Sequence, residues 1–420
     1  MTTPALTGDA TVPSTTDMPA RANGTSSSGV RNATIRQQNL ATVLRLLHLD
    51  GPLSRSAIVQ HTGLTRTAVG TLATDLVELG MVEERDPPPK GARGRPSPVV
   101  HPLAEQNIVV GLDLMVDSIG AVVSGLGGTV LRSERRDRVR ASNDPEASVA
   151  DALALVDRMT GDLRPSRRLG IGVAVPGLVA EPSQQLVLAP NLGWSDVDIA
   201  GLVRDRIGAE TLVTVANEAD LGAVAESRRG DVAGTGHVLF VSGEVGVGGG
   251  VISDGHLVTG TNGFAGEIGH IPVNPTGQRC SCGAIGCFET ELGEAALLRR
   301  VGYDGSGRAE VDRLIAQAEA GDASIAAALD EHARWLAFGL SGPLNLLDLD
   351  LVVLGGLLGR IFPHIEAALE RELADRALIA NRTTPVVAAS LGEDAAAIGA
   401  AEFTWDRIIA NVSLRLGTAV

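Results

Sequence analysis

The chain has 420 residues, 44% of them hydrophobic, with 35 basic and 50 acidic side chains and a formal net charge of -15. That length buries a large core and suggests two or three domains. No uninterrupted apolar run approaches the roughly 18 residues of a membrane span, which excludes a membrane-embedded protein.

Residues 1–30, rich in Thr, Ser, Ala, Pro and Gly, lack the basic start and apolar stretch of a signal peptide and read as a disordered tail. The expected location is therefore the cytoplasm, a reducing compartment where clustered cysteines bind metal more readily than they pair. Between Arg31 and His101 nine basic residues face six acidic ones, so the acidity of the chain lies elsewhere. Such asymmetry is expected when a small nucleic-acid-binding module is joined to an acidic domain with another task.

From Thr34, apolar residues at Ile35, Leu40, Val43, Leu44 and Leu47 predict one amphipathic helix ending at Gly51-Pro52. Ser54 then caps a short helix ending near Thr62-Gly63, and Thr65 caps a second that runs to Leu79-Gly80. A three-residue connection containing Gly63 is what a helix-turn-helix requires. The second helix would lie in the DNA major groove with Thr65, Arg66 and Thr67 nearest the base edges and Thr71 one turn on; Arg55 joins them as a candidate contact. A strand, a basic turn containing Arg93 and Arg95, and a second strand follow, which is the pattern of a winged helix gripping phosphates or a minor groove.

From Asn107 short β runs alternate with helices: I-V-V-G-L-D-L, S-I-G-A-V-V-S-G-L, T-V-L-R-S-E-R-R, a helix from about Pro145 to Leu163, L-G-I-G-V-A-V-P-G-L-V, and T-L-V-T-V-A-N-E-A running into a helix. A glycine-rich hairpin, H-V-L-F-V-S-G-E-V-G-V-G-G-G-V-I, and the buried strand D-L-D-L-V-V-L-G-G-L complete the pattern. This predicts an α/β body of two lobes around a cleft, with sites at the carboxyl ends of strands.

The runs N-E-A-D-L-G-A-V-A-E (217–226), E-I-G-H (267–270), C-S-C-G-A-I-G-C-F-E (280–289) and V-V-L-G-G (352–356) resemble the ROK family of repressors, open reading frames and sugar kinases. The resemblance covers about residues 107–410 and implies an actin-like, ribonuclease-H-like fold. With the winged helix in front, the chain is similar to the regulator branch. The domain plan is a tail over 1–30, a winged helix-turn-helix over 31–101 and a two-lobed sugar-binding domain over 107–420. The resemblance further implies that Asn217, Glu267, His270 and Glu289 bind sugar hydroxyls, with Glu218 beside them.

Cys280, Cys282 and Cys287 are the only cysteines. With His270 they supply the four ligands of a closed tetrahedral Zn2+ site, which leaves no position for a catalytic water and marks the metal as structural. The resemblance lets His270 use one ring nitrogen for zinc and the other for sugar.

A kinase of this family carries aspartate after the asparagine, where this chain has Glu218. It also reads D-x-G-x-T in the first hairpin, where this chain has Asp113-Leu114-Met115-Val116-Asp117. Bulky side chains replace the phosphate-approaching glycines and Asp117 adds negative charge, so no catalytic residue is assigned. The expected function is a sugar-responsive regulator, a repressor of carbohydrate genes. Its partners are operator DNA, a sugar or sugar phosphate, and further copies of itself in a homodimer or homotetramer. The alternative is an ATP-dependent sugar kinase with a DNA-binding module.

Overall fold

A computed structural model of the protein describes residues 27–86, 97–138, 144–163, 167–378 and 383–412. The basic turn with Arg93 and Arg95 lies outside the described residues.

The amino-terminal part comprises α1 (Ser27–Asp50), β1 (Leu53–Ser54), α2 (Arg55–Thr62), α3 (Arg66–Glu78), β2 (Val82–Arg85) and β3 (Val99–Pro102). The first helix begins at Ser27, inside the stretch read from composition as a tail. No proline interrupts the run to Asp50, and extending a formed helix is easier than nucleating one. Ser54 Oγ accepts the Ala57 amide at 3.1 Å, and Thr65 Oγ1 accepts the Ala68 amide at 3.2 Å. Each bond satisfies a first-turn donor that the helix leaves unpaired. Gly63 takes a left-handed φ of 69° and its amide donates to Val59 O, closing α2. The strands pair in the order β1-β3-β2.

The first lobe contains β4 (Asn107–Leu114), β5 (Ser118–Gly125), β6 (Val130–Asp137), α4 (Pro145–Thr160), β7 (Arg167–Val175), the small strands β8 (Leu178–Ala180), β9 (Gln185–Ala189) and β10 (Trp194–Val197), α5 (Ile199–Ile207), β11 (Leu212–Asn217) and α6 (Glu218–Arg229). The second contains β12 (His237–Gly243), β13 (Val247–Ser253), β14 (His256–Leu257), α7 (Phe288–Leu292), α8 (Glu294–Arg300), α9 (Arg308–Glu319), α10 (Ala323–Leu347), β15 (Leu351–Gly355), α11 (Gly356–Arg376) and β16 (Val386–Ala388). The last helix, α12 (Ala395–Ala410), returns to cover β4 and β7 of the first sheet.

Both large sheets follow one plan. The first has the order β11-β7-β4-β5-β6, with β4, β7 and β11 parallel and β4-β5-β6 an antiparallel meander. The second has the order β14-β13-β12-β15-β16, with β12, β15 and β16 parallel and β12-β13-β14 antiparallel. This duplication is consistent with an actin-like body. Every residue of β4 and β5 is buried, as a sheet covered on both faces demands.

Helix α6 packs on α12 and on β12 and β13, so it bridges the two lobes. A Cβ at Gly248 or Gly250 would come within 2.8 Å of the Ala219 or Ala223 methyl, respectively. The glycine run of the hairpin is therefore needed for the approach of α6, whatever else the hairpin does.

Leu40, Val43, Leu44 and Leu47 of α1, Ile58 of α2 and Val69, Leu72 and Leu76 of α3 form one buried cluster with Val109 of β4 and with Trp405, Ile408 and Ile409 of α12. Asn107 Nδ2 donates to Gly80 O at 2.9 Å and Arg167 donates to Leu79 O at 3.0 Å. The amino-terminal part thus shares a core with the body instead of hanging from a free linker. Among the described residues no helix is long and apolar enough to cross a membrane.

Candidate functional site

Asn217 ends β11 and caps α6: its Oδ1 accepts the amides of Ala219 (2.8 Å) and Asp220 (3.2 Å), while its Nδ2 donates to Gly177 O at 3.0 Å. These bonds fix the start of α6 against the turn after β7. Glu218, Glu267, His270 and Glu289 join Asn217 around one cleft between the lobes. All five residues expected from sequence to meet a sugar thus come together.

Asn191 was not foreseen. It lies in the P-N-L-G-W turn between β9 and β10 and faces the same cleft, near Gly246 and Glu289. Its only sequence signal is a polar residue in a tight turn, which many surface turns share.

Burial, foremost, pushes the Glu218 carboxyl up to about 8, and the neighbouring Glu267 adds to the shift. Burial also raises Asp220, with Glu267 contributing, and raises Glu267, opposed by His270 and aided by Glu289. One oxygen each of Glu218 and Asp220 is sealed without a hydrogen-bond partner. Protonated carboxyls next to ionised ones supply both donors and acceptors, which suits a polyhydroxyl ligand.

His270, Cys280, Cys282 and Cys287 place one ligand atom each within 4.8 Å of one another. His270 Nδ1 lies 3.6 Å from Cys280 Sγ, and Cys282 Sγ lies 3.7 Å from Cys287 Sγ. With metal–sulfur bonds of about 2.3 Å and metal–nitrogen bonds of about 2.0 Å, tetrahedral edges come to about 3.6–3.8 Å, so the set fits such an ion. Burial and the Glu289 carboxylate push the Cys280 thiol up, so a bound cation would supply the charge that stabilises its thiolate. The other histidine nitrogen, Nε2, is 3.9 Å from Glu267 Oε2 on the cleft side. His270 stands between the metal position and the cleft. Glu289 is a second link, for its Oε1 accepts from Cys280 Sγ at 2.8 Å and from Ser281 Oγ at 3.3 Å.

Local bonds shape the loop. Gly286 donates to Gln278 O and accepts from Val273 and Asn274 at 2.8–3.0 Å. It has φ +69°, and a Cβ there would collide with Asn274 O. Asn274 Nδ2 donates to Glu291 Oε1 at 2.8 Å, and Arg300 donates to Glu291 Oε2 at 3.2 Å and to His332 Nδ1 at 3.0 Å. Burial, then Arg300, pushes His332 down to about 3, so it accepts as a neutral ring. The loop therefore rests on a buried polar chain reaching α10.

In the amino-terminal part, Thr65, Arg66, Thr67 and Thr71 lie exposed along the start of α3. Arg55 Nε and Nη2 each donate to a Glu84 oxygen at 2.5 Å, tying α2 to β2. The fork-shaped ion pair engages two of the five guanidinium N–H groups and so also helps to position the module.

The fold and site define a two-lobed α/β protein with a polar ligand cleft flanked by a metal-capable loop. The chain belongs to the ROK family, whose profile matches residues 109–407. It is 27% identical over 383 residues to the xylose repressor of Bacillus subtilis (strain 168), covering 90% of this chain and 98% of that protein. The crystal structure of a ROK family transcriptional regulator, a homologue of the E. coli MLC protein, matches with a TM-score of 0.75 at 20% identity, over 91% of this chain and 99% of the other. A ROK family glucokinase from Streptomyces griseus, solved with glucose and AMPPNP, matches with a TM-score of 0.62 at 26% identity, over 70% of this chain and 98% of that one.

Proposed function

We propose that the chain is a sugar-responsive, DNA-binding transcriptional repressor of carbohydrate genes, cytoplasmic, with a structural zinc ion in the His270-Cys280-Cys282-Cys287 site. Residues 31–101 act as a winged helix-turn-helix that presents Thr65, Arg66, Thr67 and Thr71 to operator DNA, with Arg93 and Arg95 on its wing. Residues 107–420 bind the sugar through Asn217, Glu218, Glu267, His270 and Glu289. The long alignment with a xylose repressor supports this reading.

The observation that carries it is the reach of α6. Its first residues, Asn217 and Glu218, line the cleft, while Arg229 at its other end donates to Glu402 at 2.8 Å and to the carbonyl of His48 in α1 at 3.1 Å. A ligand that favours one lobe arrangement displaces this helix and, with it, the seat of the DNA-binding module. Helix-turn-helix modules read paired half-sites, so the working unit is a homodimer or homotetramer. The test is operator binding by fluorescence anisotropy with and without monosaccharides: an affinity that changes with one sugar supports the reading, and indifference to every sugar rejects it.

The specific observation favouring the alternative, an ATP-dependent sugar kinase with a DNA-binding module, is the likeness to a nucleotide-bound glucokinase together with the intact glycine hairpin. The packing of α6 accounts for Gly248 and Gly250, and that of Ile268 and Gly266 for Gly249, without a nucleotide. Glu218 stands at the expected base position, and Asp113 and Asp117 line the space beyond it. Kinase activity is therefore not assigned, and an assay for ATP consumption with common sugars decides the point.

A further inference from the structure

A second cavity, of about 360 Å³, opens directly beyond the sugar cleft and shares Met115, Asp117, Glu218, Ser242 and Glu244 with it. The cleft proper is smaller, about 80 Å³. Most of the enclosed space therefore lies past the residues expected to hold one sugar ring. At about 30 Å³ per water the chamber would hold roughly a dozen waters, and it reaches the range of about 300–1,000 Å³ typical of ligand pockets.

The chamber is hostile to phosphate. Asp113, Asp117, Glu218, Glu244, Glu294 and Glu393 line it, against three arginines. Each arginine is already held: Arg135 by Asp113 at 2.8 Å, Arg308 by Glu393 and Arg360 by Asp312. A phosphate entering here would have to break an ion pair and would meet acidic side chains in place of free cations, although burial raises Glu218 to about 8 and Glu244 to about 7.

Its unmet hydrogen-bonding capacity points to hydroxyls. Asp113 is only 2% exposed, yet its Oδ1 has no hydrogen-bond partner; Glu218 Oε2 is likewise buried without one, and Arg135 Nε has only an ion-pair contact with Glu393 Oε2 at 3.8 Å. Asp113 and Glu218, each with one carboxyl oxygen lacking a hydrogen-bond partner, both line the chamber, and a hydroxyl group can pair with a carboxylate or a carboxylic acid alike.

Resting on the sugar-binding reading above, we propose that the effector is an unphosphorylated disaccharide, with one ring beside Asn217, Glu267, His270 and Glu289 and the second ring filling the Asp113-Arg135-Glu218 chamber. The second ring makes its hydroxyl contacts with Asp113 and Glu218, and the pairing of all three chamber arginines leaves a sugar phosphate without a free cation.

The experiment is isothermal titration of the full-length, metal-loaded chain with D-xylose, D-glucose, N-acetylglucosamine, glucose 6-phosphate, xylobiose, cellobiose, maltose and chitobiose. The same titrations are run on Ala396→Leu and Ala389→Leu, two independent substitutions that line the chamber and narrow it; thermal melts report their folding. The expected result is a disaccharide that binds at least about tenfold more tightly than its own monosaccharide, with that advantage lost in the chamber variants while monosaccharide affinity is kept. A monosaccharide that equals every disaccharide, a phosphate that binds more tightly, or chamber variants that weaken both sugar sizes alike would overturn the proposal and leave the sugar reading standing. Failure of every sugar to bind would instead overturn the sugar reading, and the disaccharide with it.

Discussion

His48 Nε2 in α1 lies 3.1 Å from Glu402 Oε2 in α12, and both side chains are almost completely buried, at 2% and 1% exposure. The Gly127 amide donates to His48 Nδ1 at 3.1 Å, so the ring proton resides on Nε2 and points at Glu402. Trp405 packs against the same ring, with centroids 5.4 Å apart. Arg229, from the far end of α6, completes the node. One buried imidazole thus joins the amino-terminal module, the first lobe and the helix that begins at the ligand cleft.

This node should be costly to break. Burial alone drives the Glu402 carboxyl up, but His48 and Arg229 outweigh it and hold it at about 2. Glu402→Ala leaves Arg229 buried without its partner and should cost about 3–5 kcal/mol, read from urea denaturation. A depressed carboxyl stabilises the fold above its ordinary value of 4.5 and loses that contribution as pH falls toward 2. The wild type should therefore lose stability over that window more steeply than the variant.

Glu218 should act in the opposite sense. Its carboxyl is raised from 4.5 to about 8, so the folded chain holds a proton that the unfolded chain releases. Without ligand, its contribution to stability is greatest below about 4.5 and declines as pH rises through about 8. A tenfold change in proton affinity corresponds to about 1.4 kcal/mol, so the effect is on the order of a few kcal/mol. Glu218→Gln should flatten the dependence of the urea midpoint between pH 5 and 8; an unchanged slope would show that Glu218 is already ionised.

Cys282→Ser removes one of four ligands from the exposed side of the loop. The variant should lose its zinc, measured by metal analysis, and its sugar-induced thermal stabilisation, while operator binding persists because α3 packs chiefly on α1, α2 and β2. Native protein that holds no zinc after metal-replete expression would remove the ion from the account.

Arg66→Ala should weaken operator binding by about 1–3 kcal/mol if the side chain reads a base. Arg55→Ala should act differently. Its guanidinium is engaged by Glu84, so the change should lower thermal stability and weaken binding equally across operator sequences. Anisotropy titrations on matched and mismatched operators separate the two outcomes.

Much of this molecule was legible because its signals are local. Ser54, Gly63 and Thr65 announce helix ends through bonds that span three or four residues. Continuous apolar runs announce β4, β5, β7 and β15, and the cysteine spacing announces the metal set, since the three cysteines occupy a single loop. The runs Glu267–His270 and Cys280–Glu289, with Asn217, marked all five cleft residues. The small strands β8, β9, β10, β14 and β16 and the helices α5 and α7 to α12 are not announced, because short mixed segments and alanine-rich helices carry weaker periodic patterns.

By itself, the sequence determined the order of the strands and helices it announced, the four side chains that gather as a metal-capable cluster and the residues that gather at the cleft, all from short-range chemistry. Only the tertiary structure decided that Arg55 pairs with Glu84, that Asn191 joins the cleft and that three arginines of the chamber are neutralised. It also decided that α6 ends against α1: His48 and Glu402 are 354 positions apart. Such contacts have no spacing to read along the chain; they arise where two surfaces meet, and each is stable only because the packed core around it excludes water.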